Sequence, residues 1–272
     1  MRETARRMFE LVEPIGALPY SADDPNETMF ALGFTDFWDT YFAGRAAPLG
    51  IVPAEVVDAL FYNFAPGEVA RHVPKVWQTT TPEAALAARS QGCVNALRRI
   101  LGDRVDSADF TRATALLTKA ATSAPYEGRP MYAALRALPV PDDVVARMFH
   151  AASLLREYRG DGHIAALMSE GIGRLECHVL YVLAMDMPAE KFGRIHHLPP
   201  AQIAAVIDGM RERRLIGDDG WLTEDGRATR QRVEDRTDDL ALPPYEALDP
   251  AELDELISLL EPLAAALIAD QG

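Results

Sequence analysis

The stretch from Leu154 to Met185 constrains the fold most, because it joins two parts of the chain with different patterns. It opens with an apolar helical turn, reaches Arg159-Gly160-Asp161-Gly162-His163, and continues as a long helical run. Two glycines within five residues permit positive φ and favour a break in a helix. The sequence therefore predicts a corner between two helices at 159–163, with a helical body before it and a second unit after it.

The composition is that of a globular chain that can bury a sizeable core. The 272 residues are 49% hydrophobic and 25% charged, which is enough chain for two domains. A net charge of -14 repels polyanions, so it disfavours non-specific binding to nucleic acid or to an anionic membrane. The chain shows neither a signal-peptide pattern nor an apolar run of about 18 residues. We therefore expect a cytoplasmic protein that does not enter the membrane.

No residue pattern in the chain carries a specific metal or catalytic signature. Cys93 and Cys177 lack the spacing of metal ligands, and we interpret both as small buried hydrophobic residues. His196-His197 lacks a third ligand in the sequence. No Ser-His-Asp order, HExxH or phosphate-binding loop is present, so no metal is predicted and the cofactor stays unknown.

Residues 1–163 read as a helical body divided by Pro and Gly. Thr81-Pro82 is typical of a helix start, with Thr as N-cap and Pro at the first position. Two passages have a similar sequence pattern. Arg45 and Arg159 each lie beside a Gly-containing break, and an Ala-Leu pair follows each break. An internal duplication is one explanation of this similarity. The alternative is two unrelated helix corners.

Residues 164–272 follow the order of a winged helix-turn-helix. The pattern predicts a helix at 175–185, a short helix at 188–195, a turn at 196–198 and a recognition helix from Pro199. Leu215-Ile216 and Trp221-Leu222 flank a Gly/Asp turn and predict a two-stranded wing. Thr223 then caps a further helix, and a last helix begins at Pro250.

The segments MRERRLI and LTEDGRA, with the short hairpin between them, resemble the MarR family over roughly residues 175–235. The resemblance implies a DNA-reading winged helix and a terminal helix that helps to form a homodimer. The chain as a whole also resembles a bacterial family described only by its helix-turn-helix. This second resemblance implies no activity.

The predicted recognition helix is weakly suited to DNA. It exposes Gln202 and Asp208 but no Lys or Arg, and the wing tip is acidic at Asp218-Asp219. The flank after this helix is basic, so the predicted DNA contacts are Gln202, Arg211, Arg213 and Arg214. The alternative is a winged helix that serves only packing or dimerisation.

The 159–163 corner is the best candidate for a ligand site. Backbone N–H groups at the start of the following helix would attract an anion, Arg159 would bind a carboxylate or phosphate, and His163 titrates near neutrality. Asp161 completes this candidate site. In the alternative, Asp161 only caps the helix, Arg159 pairs with Glu157 or the C-terminal tail, and His163 has no ligand role.

The first corner supplies a second set of candidate ligand residues, namely Trp38, Tyr41, Arg45 and Asn63. Aromatic rings with a few polar groups line small-molecule cavities between helices. The alternative is that these aromatic residues are ordinary core, as such residues more often are.

The sequence as a whole predicts an all-α protein with a small two-stranded wing, divided into a ligand-binding body at 1–163 and a MarR-like domain at 164–272. The predicted function is a homodimeric regulator that responds to a small organic anion, with DNA binding left open. One alternative is a ligand-binding protein or enzyme that uses the winged helix as scaffold. A second is an interaction module that uses the acidic terminal helix.

Overall fold

The computed structural model describes residues 2–189 and 198–270, and these are almost entirely helical. The predicted short helix and turn at 188–198 lie mostly outside the described residues. Fourteen α-helices lie in the described ranges: α1 Arg2–Gly16, α2 Leu18–Ser21, α3 Asp23–Phe30, α4 Phe37–Ala46, α5 Ala54–Leu60, α6 Glu68–His72, α7 Pro82–Leu101, α8 Ala108–Ser123, α9 Pro130–Arg136, α10 Val144–Ser169, α11 Arg174–Ala184, α12 Pro200–Glu212, α13 Glu224–Leu240 and α14 Pro250–Asp270. No described helix is long and apolar enough to cross a bilayer.

Side-chain caps fix the helix starts that the sequence predicts. Thr81 Oγ1 accepts the Ala84 N–H at 3.2 Å, and Thr223 Oγ1 accepts the Gly226 N–H at 3.0 Å. Each cap satisfies an N–H group that has no partner within the helix. The predicted starts of α7 and α13 are therefore confirmed.

Helix α10 is the central element of the fold. It runs for 26 residues and buries side chains on most of its circumference. It packs against α1, α7, α8, α9 and α13, and its last turns share an apolar cluster with α11, α12 and α13. The body and the segment predicted as a helix-turn-helix, which contains α11–α13 and is called the helix-turn-helix segment below, are thus built on one continuous helix.

The predicted corner at 159–163 is wrong, because α10 passes straight through it. Gly162 provides space instead of a turn. A Cβ at this position would overlap the Arg129 guanidinium, which donates to the carbonyls of Tyr158 at 2.9 Å and Leu240 at 2.8 Å. Glycine is tolerated within a long helix when tertiary contacts offset its lower helix propensity of about 1 kcal/mol.

Asp161 caps a different helix from the one predicted. Its buried carboxylate accepts the Tyr132 N–H at 3.0 Å, at the start of α9. Burial is the largest influence on this group and raises its pKa to about 7, against the opposing effect of the hydrogen bond. Asp161 therefore tethers α9 to α10.

The two-stranded wing predicted after α12 is also wrong for the described residues. Ile216 and Leu222 form a single antiparallel bridge, and the Gly217 N–H donates to the Trp221 carbonyl at 2.8 Å. Each arm supplies only two residues before the chain turns or enters α13, which is shorter than a strand normally needs. The hairpin is present as a turn without strands.

The hypothesis of an internal duplication needs a helix corner at both Arg45 and Arg159, and the second corner is not formed. After α4 the chain does turn, through a short 3-10 segment at 47–49 and Gly50 with φ of 69°. Nothing comparable happens at Arg159, where α10 continues. Since α10 also crosses the proposed boundary between 163 and 164, the division into two domains stays a prediction.

The terminal helix α14 uses its apolar face within the chain. Leu256, Leu260 and Leu267 are buried and belong to the same core cluster as α1, α7 and α8. This face therefore packs on the body and is not available to a partner.

We predict that Gly162→Ala lowers the free energy of unfolding by about 1–3 kcal/mol, because the added methyl group overlaps Arg129. Gly160→Ala is the matched control in the same helix, since its Cβ would meet only Glu157 Oε2 at 3.6 Å. That variant should gain up to about 1 kcal/mol from helix propensity. Chemical denaturation of both variants measures the difference, and equal effects would contradict the assignment of Gly162.

A second prediction concerns Asp161, which the unfolded chain would titrate near its ordinary pKa of about 3.9. Since the folded pKa is about 7, the folded state holds more protons between these values, and wild-type stability falls as pH rises from about 4 to about 7. Asp161→Asn keeps an oxygen acceptor for Tyr132 and should lack this decline. Denaturation curves at a series of pH values measure it, and parallel profiles for the two proteins would disprove it.

Candidate functional site

A cavity of about 470 Å³ lies where α1, α5 and α10 of the body meet α11 and α13. We call it the seam cavity. Four residues of the predicted ligand sites line it together: Arg45, Asn63, Arg159 and His163. Three further arginines and three glutamates also line it, which brings the arginines to five: Arg6, Arg156, Arg230, Glu13, Glu157 and Glu234.

One side of the seam cavity is built on carboxylates from α13. Arg159 Nη2 lies 3.2 Å from Glu234 Oε2 and 3.0 Å from Asp238 Oδ1, and Arg6 from α1 lies 2.8 Å from both carboxylates. Arg230 also pairs with Glu234 from the same helix. Burial opposes ionisation of Glu234, but Arg230 and the Arg6 hydrogen bond outweigh it and lower the pKa of this carboxyl to about 2. We call these five residues the α13 ion cluster.

The other side is built on Glu157, which is 3% exposed. Arg45 Nη2 from α4 lies 3.2 Å from its Oε2, and Arg156 Nη1 lies 3.3 Å from its Oε1. Arg156 also contacts Glu13 at 3.1 Å. Burial would raise the pKa of Glu157, but Arg45 and Arg156 overcome this and hold it below the ordinary value. Glu157 is therefore a carboxylate that positions two guanidinium groups at the cavity wall.

Two of these arginines also stack on aromatic rings. The Arg159 guanidinium lies 4.0 Å from the centroid of the Phe9 ring, and that of Arg45 lies 4.4 Å from the Phe61 ring. Arg159 Nε and Arg230 Nε are buried without a hydrogen-bond partner among the described residues. The five guanidinium groups thus meet four carboxylates, three on the cavity wall and Asp238 behind it, and two N–H groups remain without an acceptor. Such a cavity suits an anion.

His163 adds an acceptor to this wall. Thr237 Oγ1 donates to the Val233 carbonyl at 2.7 Å, so it can only accept from His163 Nδ1 at 2.9 Å. This assigns the proton to Nδ1 and leaves Nε2 as an acceptor. Burial is the main cause that lowers the pKa of His163 to about 4, and the imidazole is neutral at pH 7.

Three polar contacts join α5 and the residues after it to the helix-turn-helix segment. Tyr62 donates its hydroxyl to the Ile172 carbonyl at 2.7 Å, and Arg174 Nη2 lies 2.9 Å from Asp58 Oδ2. His178 Nε2 bonds the Asn63 carbonyl oxygen, which holds Asn63 at the cavity. The start of α11 is therefore bound to the body next to the cavity.

The other predicted ligand residues lie elsewhere. Trp38 and Tyr41 pack with Phe64 in the aromatic cluster of the body, at ring distances of 5.5–6.0 Å. Tyr41 also accepts a hydrogen bond from Arg45 Nη1 at 3.1 Å and so helps to position it. Asp161 faces α9, as described above. These three residues do not line the seam cavity.

Sequence reasoning missed Arg6, Arg156, Arg230, Glu157 and Glu234 as parts of one site. A prediction of one continuous helix over 154–169 would have found two of them, Arg156 and Glu157. Arg156, Arg159, Gly160 and His163 recur at intervals of three and four, which places them on one face of a continuous helix. Because a corner was predicted at 159–163, this helical spacing was not recognised. The members from α1 and α13 carry no local signal.

The predicted DNA contacts lie on and after α12. The side chain of Gln202 is exposed, whereas Arg211 pairs with Asp208 at 2.8 Å and Arg213 with Glu176 at 2.7 Å. Arg214 is exposed and has no ion pair among the described residues. Of the predicted contacts, only Gln202 therefore lies exposed on α12 without an ion pair. Arg214, the nearest cation without an ion pair among the described residues, follows the helix.

One acidic cluster in the body has the ligand types of a metal site. Donor atoms of Asp36, Asp39 and His72 lie within 4.8 Å of one another. Lys75 Nζ lies 2.8 Å from Asp39 Oδ2, and Asp36 accepts the Trp38 N–H at 2.9 Å as the cap of α4. A lysine ammonium and a helix start thus use these carboxylates.

The comparison with family descriptions matches residues 5–272 to a helix-turn-helix family. Neither the comparison with curated proteins nor that with solved structures gives a match. The matched range includes the body as well as α11–α13, so the seam cavity and the helix-turn-helix segment lie within one family unit. The chain belongs to this helix-turn-helix family.

Proposed function

We propose that this protein is a DNA-binding regulator whose seam cavity binds a small organic anion. Membership of a helix-turn-helix family suggests the DNA-binding part. The ligand part is supported by one observation above all: arginines from α1, α4, α10 and α13 converge on a cavity whose wall includes helices of the helix-turn-helix segment.

The cavity wall indicates the chemistry of the ligand. Arg159 and Arg230 each present a buried Nε–H, which suits a carboxylate or phosphate oxygen. Tyr62, Tyr181 and Phe9 supply aromatic surface, and Leu60, Ile164 and Leu180 supply aliphatic surface. A volume of about 470 Å³ lies in the range of small-molecule sites. We therefore propose a compact anion with an aromatic or aliphatic body.

Helix α11 connects the seam cavity to α12, the helix that we propose to contact DNA. Cys177, His178 and Leu180 of α11 line the cavity, and the neighbouring Glu176 holds Arg213 after the recognition helix α12. We propose that an anion between Arg159 and Arg230 shifts α13 and α11 against the body and so changes the position of α12. A ligand changes DNA affinity in this way only if it binds the two arrangements differently.

For the DNA-bound state we propose a use of α12 similar to that in the MarR family, with the helix in the major groove and a homodimer on a two-fold site. The turn at 217–220 would lie near the backbone without strands, and the dimer contact would exclude the buried face of α14. Arg211 and Arg213 would exchange their carboxylates for phosphates.

A second candidate function is a ligand-binding protein that keeps the helix-turn-helix as scaffold. The observation that favours it is the pairing of Arg211 with Asp208 and of Arg213 with Glu176, because α12 carries no Lys or Arg besides Arg211. Selection of DNA sequences decides between the two.

We predict that protein purified from its own host retains an anionic molecule in the seam cavity, detectable by native mass spectrometry. Arg159→Met removes a binding guanidinium, and Ile164→Trp fills the cavity while leaving every ion pair in place. Both should bind the molecule at least about tenfold more weakly, since a charged hydrogen bond contributes roughly 1.5–3 kcal/mol.

Arg112→Met is the matched control, because Arg112 pairs with Glu255 on an exposed surface between α8 and α14. Circular dichroism of each variant checks the fold. Equal retention by all three variants would contradict the site. A wild-type protein that carries no molecule and binds no member of a carboxylate and phosphate panel would overturn the ligand proposal.

We also predict that selection from random duplex DNA at low salt enriches one sequence. Gln202→Ala should then lose about 1–3 kcal/mol of discrimination at a single base pair. Arg214→Ala should weaken binding to all sequences and reduce the salt slope by about one. Arg104→Ala, on an exposed part of the body, is the control. Enrichment of no sequence would favour the scaffold alternative.

A further inference from the structure

A second, smaller cavity of about 10 Å³ lies inside the body, between α2, α3, α4 and α7. Its wall includes Tyr20, Tyr41, Arg45 and Arg89. Arg45 also lines the seam cavity, so the two cavities are neighbours. A cavity of this size suits one water molecule or one monatomic ion.

Arg89 is the unusual residue at this cavity. It is 6% exposed, yet it forms neither an ion pair nor a hydrogen bond with any residue that the structure describes. Its guanidinium carbon lies 5.4 Å from the centroid of the Phe149 ring. Since a buried charge normally has a counter-ion, an arginine in this position calls for an acceptor.

Tyr20 supplies a second free donor at the same cavity. Its hydroxyl is buried without a hydrogen-bond partner among the described residues, as is Arg89 Nε. The Tyr20 ring packs on Tyr41 with centroids 4.9 Å apart and lies under the Arg156 guanidinium at 5.0 Å. The cavity wall therefore has one N–H donor, on Arg89, and one O–H donor, on Tyr20, that can share one small acceptor.

The charges around the cavity distinguish an anion from a water molecule. Arg45 and Arg156 share Glu157, and Arg156 also contacts Glu13. Arg89 contributes to the low pKa of Glu157 but has no carboxylate of its own. Three positively charged guanidinium groups thus share two carboxylates, those of Glu13 and Glu157. The one positive charge without a carboxylate is that of Arg89. Water can satisfy the two donors but leaves this charge uncompensated.

We propose that the cavity beside Arg89 and Tyr20 is a chloride site. A monatomic anion matches the volume, accepts from both donors and supplies the missing negative charge. The site lies in the body and stands independently of the ligand and DNA proposals, because its two unpartnered donors, on Arg89 and Tyr20, do not line the seam cavity.

The test is thermal unfolding of the full chain in sodium chloride and in sodium gluconate at equal ionic strength. Chloride at about ten times its dissociation constant should raise the wild-type midpoint by roughly 3 °C relative to gluconate. Arg89→Met keeps the length of the side chain without its charge and should lose this difference. Arg112→Met should retain it. Tyr20→Phe, which loses one donor, should need a several-fold higher chloride concentration.

Equal wild-type midpoints in the two salts would overturn the proposal, and so would a chloride effect that survives in Arg89→Met. If Arg89→Met does not fold, crystals grown in sodium bromide give an independent reading. An anomalous peak between Arg89 and Tyr20 would support the site, and its absence there would refute it.

Discussion

The structure depends on buried carboxylates that are each shared by several arginines. Glu234 and Asp238 on α13 bind Arg6 from α1 and Arg159 from α10, and Asp238 is 3% exposed. A charge removed from water is tolerated only when partners with good geometry surround it. The position of α13, and with it the attachment of the helix-turn-helix segment, is therefore set by arginines of the body.

The same requirement explains why a polar cavity forms at this seam. Arginine side chains that bind carboxylates from opposite sides keep the helices apart, and Phe9 and Phe61 fix two of the guanidinium groups by contact with their faces. The result is a wall with more positive than negative groups and with free N–H donors. An anion entering this cavity would compete with Glu234 for Arg159 and Arg230, which gives it a direct influence on α13.

The sequence predicts the helices well where a local signal defines their ends. Thr81 and Thr223 cap helices as expected, because an N-cap depends on residues three positions apart. The corner at 159–163 fails for a non-local reason. Gly162 accommodates Arg129, and Asp161 caps α9, and both partners lie about 30 residues away. The wing fails because its arms are too short for strands, although the bridge between them is formed.

The candidate site is predicted in part for the same reason. Arg45, Asn63, Arg159 and His163 belong to residue types that bind ligands, and the structure brings them to one cavity. The residues that hold them come from distant elements, as with Glu234, 75 positions after Arg159. Single-sequence patterns do not encode which carboxylate a given arginine will meet, so the ion clusters could be found only in the folded chain.

The central proposal is that ligand binding in the seam cavity is coupled to DNA binding by α12, and fluorescence anisotropy on the selected duplex tests it most directly. The affinity is measured for the full chain with and without the molecule retained from its host. The account predicts that the molecule changes the dissociation constant for DNA by about fivefold or more, and that Ile164→Trp abolishes the change. An identical DNA affinity in the presence and absence of a bound molecule would contradict it.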